Sequence, residues 1–253
     1  MLLAAVLTLA GCTHSASTEN LTIAAAADLR FALEELARAF QGAHPRVEIA
    51  RAYGSSGNFY AQIQNGAPFD VFLSADMEYP RRLVSEKLAE PQTLFSYGVG
   101  RIAIWAPVGS PLDPAALQMR TLEADAVKHI AIANPRHAPY GRAAEAALRS
   151  TGVYDRVASK LVLGENIAQT LEFVESGAAE TGIVALSLAL APSARARGKY
   201  WEIPLAAYPR IEQGGVILTR ARASRAARDF RTFLLGDEGR RILKQYGFSL
   251  ADQ

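Results

Sequence analysis

Two adjacent serines, Ser55 and Ser56, stand between Gly54 and Gly57 in the first quarter of the chain. Apolar residues follow at helical spacing over 59–63, which predicts a helix that begins at the serines. Backbone N–H groups at a helix start have no partner within the helix, and the positive end of the helix dipole lies there too. Serine hydroxyls add further hydrogen-bond donors. This pattern is typical of an anion site that works through hydrogen bonds, although serines at this position also serve as simple helix caps.

The composition argues against several other kinds of site. The chain has 253 residues, half of them hydrophobic, and a formal net charge of only +2, which is globular composition. Arginine-rich stretches at 195–197 and 220–225 lack interleaved aromatic residues, so they predict solvated helix faces and no nucleic-acid site. The four histidines lack metal-ligand spacing. We therefore predict neither a cation site nor a cofactor.

The beginning of the chain reads as a processing signal. An apolar run over 2–10 is too short to span a bilayer, and it ends in Leu9-Ala10-Gly11-Cys12. That tetrapeptide resembles the bacterial lipobox, in which the cysteine is lipidated. Cys12 is also the single cysteine of the chain, so the body of the protein needs no disulfide. We predict a signal and polar tether over 1–20, with the protein anchored to the membrane at the periplasmic or cell surface.

Short apolar runs alternate with amphipathic runs along the rest of the chain. We predict strands at 21–27, 47–50, 71–74, 102–105, 130–133, 161–163, 182–186 and 214–218. The alternation predicts an α/β protein with parallel-type sheets flanked by helices. The pattern resets near 95–101, so we predict two lobes, one formed by 21–97 with 212–253 and the other by 98–211. Ligands of such sheets bind at the carboxyl ends of the strands.

Four segments together resemble the periplasmic molybdate-binding proteins of ABC transporters, a branch of the type II periplasmic binding proteins. The segments are the strand end at 24–29, the serines with 66–68 and 74–76, the turn at 134–141, and 165–167 with 182–184. Each is weak alone, but they occur in order at strand-to-helix turns. The resemblance covers nearly the whole mature chain and implies a two-lobed type II fold with the ligand cleft between the lobes.

The resemblance also implies which residues hold the ligand. A tetrahedral oxyanion, molybdate or the similar tungstate, accepts hydrogen bonds from both lobes without a counter-cation. Carried over to this chain, the donors are the turn at Ala27 and Asp28, the hydroxyl of Ser56, the phenol of Tyr140 and the N–H of Ile167. The implied partners are an ABC permease and its ATPase, and the implied state is a monomer with no catalytic residue.

Asp28 departs from the family's pattern, which often has Ser or Thr at this turn. A carboxylate aimed at an anion repels it, by about 4 kcal/mol for two unit charges 4 Å apart at an effective dielectric of 20. We therefore predict that Asp28 turns its side chain away and caps its own helix, so that only its backbone N–H contacts the ligand.

Two alternative functions remain open at this point. Sulfate and phosphate are also tetrahedral oxyanions, and Asp28 could accept the proton of a hydrogen phosphate. From another class, Ser56, His137 and Asp70 could form a hydrolase triad, but the chain has no Gly-x-Ser-x-Gly elbow.

Overall fold

The computed structural model describes residues 18–222 and 224–249. The predicted signal segment and the lipidation site Cys12 lie outside the described residues. None of the helices in the described ranges has both the length and the apolar character needed to cross a bilayer.

The strands occur where the sequence predicted them, and two further strands, at 95–100 and 198–202, precede the segments that join the lobes. They are β1 (Glu19–Ala26), β2 (Val47–Gly54), β3 (Val71–Ser74), β4 (Phe95–Gly100), β5 (Ile102–Pro107), β6 (Ile130–Ala133), β7 (Leu161–Gly164), β8 (Thr181–Ala185), β9 (Gly198–Glu202) and β10 (Ile211–Ile217).

Most of the longer helices come after a strand in the order of the chain. The helices are α1 (Arg30–Ala43), α2 (Ser56–Gln64), α3 (Glu78–Ser85), α4 (Pro114–Leu117), α5 (Pro139–Ser150), α6 (Tyr154–Val157), α7 (Ile167–Glu175), α8 (Leu186–Ala189), α9 (Pro192–Arg197), α10 (Arg225–Leu235) and α11 (Asp237–Gln245). Helix α5 begins at Pro139, which supplies a φ already suited to the first helical position.

The strands form two five-stranded sheets of the same design, in the orders β2-β1-β3-β10-β4 and β7-β6-β8-β5-β9. The prediction of two α/β lobes with parallel-type sheets is confirmed. One strand in each sheet differs, since β10 and β5 run antiparallel to their neighbours. Each of these is the first strand after the chain crosses from the other lobe, so it enters its sheet from the opposite end.

The chain crosses between the two sheets at two places. The first crossing is Arg101, between β4 and β5, and the second is the segment 203–210, between β9 and β10. The predicted limit at 97/98 therefore falls inside β4. The finer limits of the lobes stay a prediction.

Helices cover both faces of the first sheet. Neighbouring residues of β3 point to opposite faces, so Leu73 packs with α1 and α10 residues such as Phe40 and Phe230. Phe72 packs on the other side with Phe59 of α2. The apolar core of the second lobe extends to Ala26, Ala27 and Ala75 of the first lobe. The two lobes are therefore in contact, in a closed arrangement.

Candidate functional site

A cavity lies between the lobes, at the ends of the strands and the starts of the helices. Every residue predicted to hold the anion lines it, namely Ala27, Asp28, Ser56, Tyr140 and Ile167. The remaining lining residues have small side chains: Ala26, Gly54, Ser55, Ala75, Ala138 and Pro139. The structure thus brings together residues from segments far apart in the sequence.

Helix α2 presents its first residue to this cavity. Ser55 is the N-cap, and its Oγ accepts a hydrogen bond from Asn58 N at 3.3 Å. Ser56 is fully buried, and its Oγ accepts a hydrogen bond from Ala75 N at 2.9 Å. A hydroxyl that accepts one bond keeps its hydrogen for donation. Ser56 can therefore offer an anion both its hydroxyl and its N–H, whereas Ser55 serves as the helix cap.

Helix α7 presents a backbone donor from the second lobe. Its N-cap is Asn166, whose Oδ1 accepts hydrogen bonds from Ala168 N at 2.9 Å and Gln169 N at 3.1 Å. This cap satisfies the second and third N–H groups of the helix and leaves out the first, which belongs to Ile167. A first N–H of this kind has no partner within its helix. Ile167 thus lines the cavity with an N–H that the helix cap does not use, and donation from this N–H to an anion stays a prediction.

The side chain of Asp28 does not cap its helix, contrary to the prediction. The short 3₁₀ turn Ala27–Leu29 and helix α1 both begin without a side-chain cap. Instead, Asp28 Oδ2 accepts hydrogen bonds from Tyr140 Oη at 2.8 Å and from Gln213 Nε2 at 2.6 Å. Asp28 is 1% exposed, and bonds from two buried donors stabilise a buried carboxylate more strongly than a helix start alone.

The other carboxylate oxygen of Asp28 is left without a partner. Among residues 18–222 and 224–249, no group makes a hydrogen bond to the buried Oδ1. Burial raises the pKa of the Asp28 carboxyl to about 6. The hydrogen bonds from Gln213 and Tyr140 lower this pKa, as do the N–H groups of Asp28 and Leu29, but together they do not offset the burial.

Gln213 and Tyr97 complete this buried network, and the sequence analysis missed both. Tyr97 Oη lies 2.8 Å from Gln213 Oε1 and 3.0 Å from Ser74 O. A phenol at the amide oxygen orients Gln213 so that its NH₂ group points to Asp28. The available signal was Gln213 itself, a polar residue of β10 that directly precedes two glycines and the apolar end of the strand.

The phenol of Tyr140 gives its hydrogen to Asp28 in this arrangement. Oη carries one hydrogen, which is directed at Asp28 Oδ2, and it accepts a hydrogen bond from Gln213 Nε2 at 2.9 Å. Burial, followed by the charge of Asp28, raises the pKa of Tyr140 well above its ordinary value, so the phenol stays neutral. Donation by this phenol to an oxyanion stays a prediction, and it requires the bond to Asp28 to break.

His137 of the second lobe contacts the first lobe at the start of α2. Its backbone oxygen accepts a hydrogen bond from Gly57 N at 3.0 Å, and its Nδ1 lies 2.9 Å from Ser55 Oγ. Two exposed ion pairs at the rim also cross between the lobes, Arg142 with Asp76 at 2.5 Å and Arg30 with Glu172 at 2.8 Å. Exposed pairs of this kind contribute about 0–1 kcal/mol each. Backbone contact at Gly57 therefore constrains the closed arrangement more than the rim charges do.

A family comparison identifies the kind of protein to which this cavity belongs. A model of the bacterial extracellular solute-binding proteins matches residues 21–249. The chain belongs to this family. It is 36% identical over 236 residues to the molybdate-binding protein ModA of Azotobacter vinelandii, covering 93% of this chain and 92% of that relative.

Two further relatives of this solute-binding protein extend the comparison. The solved structure of the Azotobacter vinelandii periplasmic molybdate-binding protein matches it with a TM-score of 0.85 at 32% identity, covering 92% of this chain and 100% of that chain. The putative ABC transporter substrate-binding lipoprotein YvgL of Bacillus subtilis is 29% identical over 254 residues, covering 98% of this chain and 95% of that relative. The resemblance predicted from the four sequence segments is therefore confirmed.

The residues of the suggested hydrolase triad do not assemble in this solute-binding protein. His137 contacts Ser55, while Ser56 bonds to the backbone of Ala75. Asp70 lies at the opposite end of β3 from Ala75, where its Oδ2 accepts a hydrogen bond from Thr22 N at 2.7 Å. In the described part of the chain, no group of three or more His, Cys, Asp or Glu residues could hold a metal ion. What converges at the cavity is a set of hydrogen-bond donors and one carboxyl group.

Proposed function

We propose that this protein is the receptor of an ABC transporter and that it captures molybdate between its lobes. The observation that carries the proposal is a cavity lined by Ser56 and the turn at Ala27 from one lobe and by Tyr140 and Ile167 from the other. Donors divided between two lobes link ligand binding to closure, because the bound state satisfies both sets at once. The names of the Azotobacter relatives support molybdate as the ligand.

The energies of such donors suffice for tight binding. Each hydrogen bond to a charged group contributes about 1.5–3 kcal/mol net, and each helix start adds about 0.3–1 kcal/mol. Six or seven donors reach roughly −12 kcal/mol, which corresponds to nanomolar affinity, after the cost of ordering the lobes. Tungstate matches molybdate in size and charge, so we propose that it binds equally well. Sulfate is smaller and leaves the lobes imperfectly closed around it.

The test is isothermal titration of the purified protein with molybdate, tungstate, sulfate and phosphate. We expect molybdate and tungstate to bind with dissociation constants on the order of nanomolar, and the other two anions to bind much more weakly.

Ser56→Ala should weaken molybdate binding about ten- to a hundred-fold through the lost hydrogen bond. It should also lower the melting temperature of the empty protein, because the N–H of Ala75 loses its partner. The control is Ser85→Ala, which removes an exposed hydroxyl far from the cavity. Tighter binding of sulfate or phosphate than of molybdate would contradict the proposal.

We further propose that the receptor acts as a monomer, without cofactor or catalytic activity, and delivers its anion to a membrane permease driven by a separate ATPase. The chain has no Gly-x-x-x-x-Gly-Lys segment with which to bind ATP itself. The description of YvgL as an ABC transporter substrate-binding protein supports this partnership.

Anchoring through lipid on Cys12 is a separate proposal, supported by the lipobox-like segment and by the description of YvgL as a lipoprotein. We expect the parent protein, expressed in a bacterium from its full sequence, to fractionate with membranes. Cys12→Ser should appear in the soluble extracytoplasmic fraction or remain as an unprocessed precursor. A processed Cys12→Ser protein that stays with the membranes would contradict lipid anchoring.

A further inference from the structure

We propose that Asp28 enters the ligand complex as a neutral carboxylic acid whose Oδ1–H donates a hydrogen bond to the oxyanion, so that capture of the anion takes up one proton. This inference rests on the proposed function and concerns the same cavity. Protonation of Asp28 replaces a charge that repels the anion with a hydrogen-bond donor.

The hydrogen bonds of Asp28 determine which oxygen carries the proton. Oδ2 already accepts from Tyr140 Oη at 2.8 Å and Gln213 Nε2 at 2.6 Å, and a hydrogen on this oxygen would point at one of those donors. The Gln213 amide keeps its NH₂ group towards Asp28 while the Tyr97 phenol donates to the amide oxygen at 2.8 Å. Oδ1 is the oxygen without a partner, in a residue that lines the cavity. A proton on Oδ1 therefore satisfies that buried atom and the anion together.

The groups that stabilise the Asp28 carboxylate are neutral donors, namely Tyr140, Gln213 and the N–H groups of Asp28 and Leu29. Tyr140 of α5 and Tyr97 of β4 are phenols whose pKa values are raised by burial, so they stay neutral. From α8, Ser187 Oγ donates to the backbone oxygen of Asp28 at 2.8 Å. The charged residues Arg30 of α1 and Glu172 of α7 pair with each other at the exposed rim.

The other titratable groups that face this region also lie away from the carboxylate. They are Tyr53 of β2, bonded to Glu34; Tyr208, beside Tyr140; and His137, at Ser55. Among the described residues, Asp28 takes part in no ion pair, and burial holds its pKa at about 6. A dianion in the cavity raises this pKa further, because like charges disfavour the ionised form.

The sign of the pH dependence follows from these protonation states. At pH 7 and above the Asp28 carboxyl of the empty protein is mostly ionised, because its pKa is about 6 when the lobes are closed and burial no longer raises this pKa when the cleft is open. The complex carries the proton, so binding takes up close to one proton and the affinity falls about tenfold between pH 7 and pH 8. The affinity levels off only below the pKa of this carboxyl in the empty protein.

The experiment is titration calorimetry with molybdate in two buffers of different ionisation enthalpy, repeated between pH 6 and 8.5. Molybdate stays a dianion over this range, so any proton taken up enters the protein. We expect an uptake of about one proton per anion at pH 7.5 for the parent protein, and a loss of affinity of about tenfold between pH 7 and pH 8.

Asp28→Asn is the matched variant, because its amide oxygen can accept from Tyr140 and Gln213 while its NH₂ group imitates the protonated oxygen. We expect this variant to bind molybdate without proton uptake from Asp28, and more tightly than the parent at pH 8. His137 is unchanged in the variant, so the difference between the two proteins isolates Asp28. Asp28→Ser, which also lacks the carboxyl group, provides the same comparison if the asparagine variant does not fold.

Three outcomes separate this inference from the proposed function. Molybdate binding by the parent without proton uptake, and with the same affinity at pH 7 and 8, would overturn the inference and leave the function standing. Proton uptake that persists in the variant would assign the proton to another group and overturn it as well. Absence of molybdate binding by both proteins at every pH would overturn the proposed function itself.

Discussion

Replacement of Gly57 by alanine is expected to weaken molybdate binding about ten- to a hundred-fold without lowering the melting temperature of the empty protein. A Cβ at this position would lie 2.7 Å from the backbone oxygen of His137, which belongs to the other lobe. Backbone atoms cannot move aside as a flexible side chain can, so the lobes cannot close fully. The same Cβ also meets Tyr79 Oη at 2.9 Å, but the end of that side chain can shift.

The expected effect is specific to the closed arrangement. Alanine is more favourable than glycine inside a helix, so α2 itself is not weakened. Titration calorimetry measures the affinity, and small-angle scattering measures the change in radius of gyration on adding molybdate, which should shrink in the variant. Gly42→Ala is the control, because a Cβ there meets no atom within 4 Å. Unchanged affinity in Gly57→Ala would mean that ligand binding does not require the contact between Gly57 and His137.

Gly100→Ala should have the largest effect on binding. Its Cβ would lie 2.1 Å from Tyr140 Oη and 2.6 Å from Gln213 Nε2, the two donors to Asp28. Overpacking costs about 1–3 kcal/mol, and each displaced hydrogen bond to the carboxylate costs about 1.5–3 kcal/mol more. We expect molybdate affinity to fall by more than about a hundred-fold, and the closed form to be disfavoured even without ligand.

A second substitution tests this explanation. Tyr140→Phe removes the oxygen that lies closest to the added methyl group, so it should harm the Gly100→Ala protein less than it harms the parent. The coupling between the two substitutions, measured as a double-mutant cycle of molybdate affinities, should therefore be favourable. Additive losses would indicate that Gly100→Ala acts by distorting the end of β4 and not through Tyr140.

The sequence predicted the elements that bring donors to the cavity, because those signals are local. Ser56 and Ile167 each begin a helix directly after a strand end, and helical spacing reveals both starts. The strand order was not predicted, since alternating strands and helices alone do not tell where β10 enters the sheet.

The environment of Asp28 was not predictable from neighbouring residues. Its two donors are Tyr140 and Gln213, which lie 112 and 185 positions away in the chain. A local view offered Asp28 the N–H groups of its own turn, which is why helix capping was predicted. Once the lobes are in contact, burial and stronger donors outweigh the cap. Long-range pairing of this kind leaves only an indirect trace in sequence, such as Gln213 among the glycines and apolar residues of β10.

The single residue that links β4 to β5 has a mechanical consequence. Arg101 alone joins the two sheets at this crossing, and its backbone oxygen accepts a hydrogen bond from Leu186 N at 2.8 Å, whereas the other link spans 203–210. A single residue allows little change in the distance between the sheets, so we expect relative motion of the lobes to be a rotation about this short link as a pivot, in which displacement grows with distance from Arg101. Gly100, against which Tyr140 Oη packs, adjoins that pivot. We therefore expect a change in the Asp28 network, close to the pivot, to displace the outer rim of the cleft more than the cavity itself.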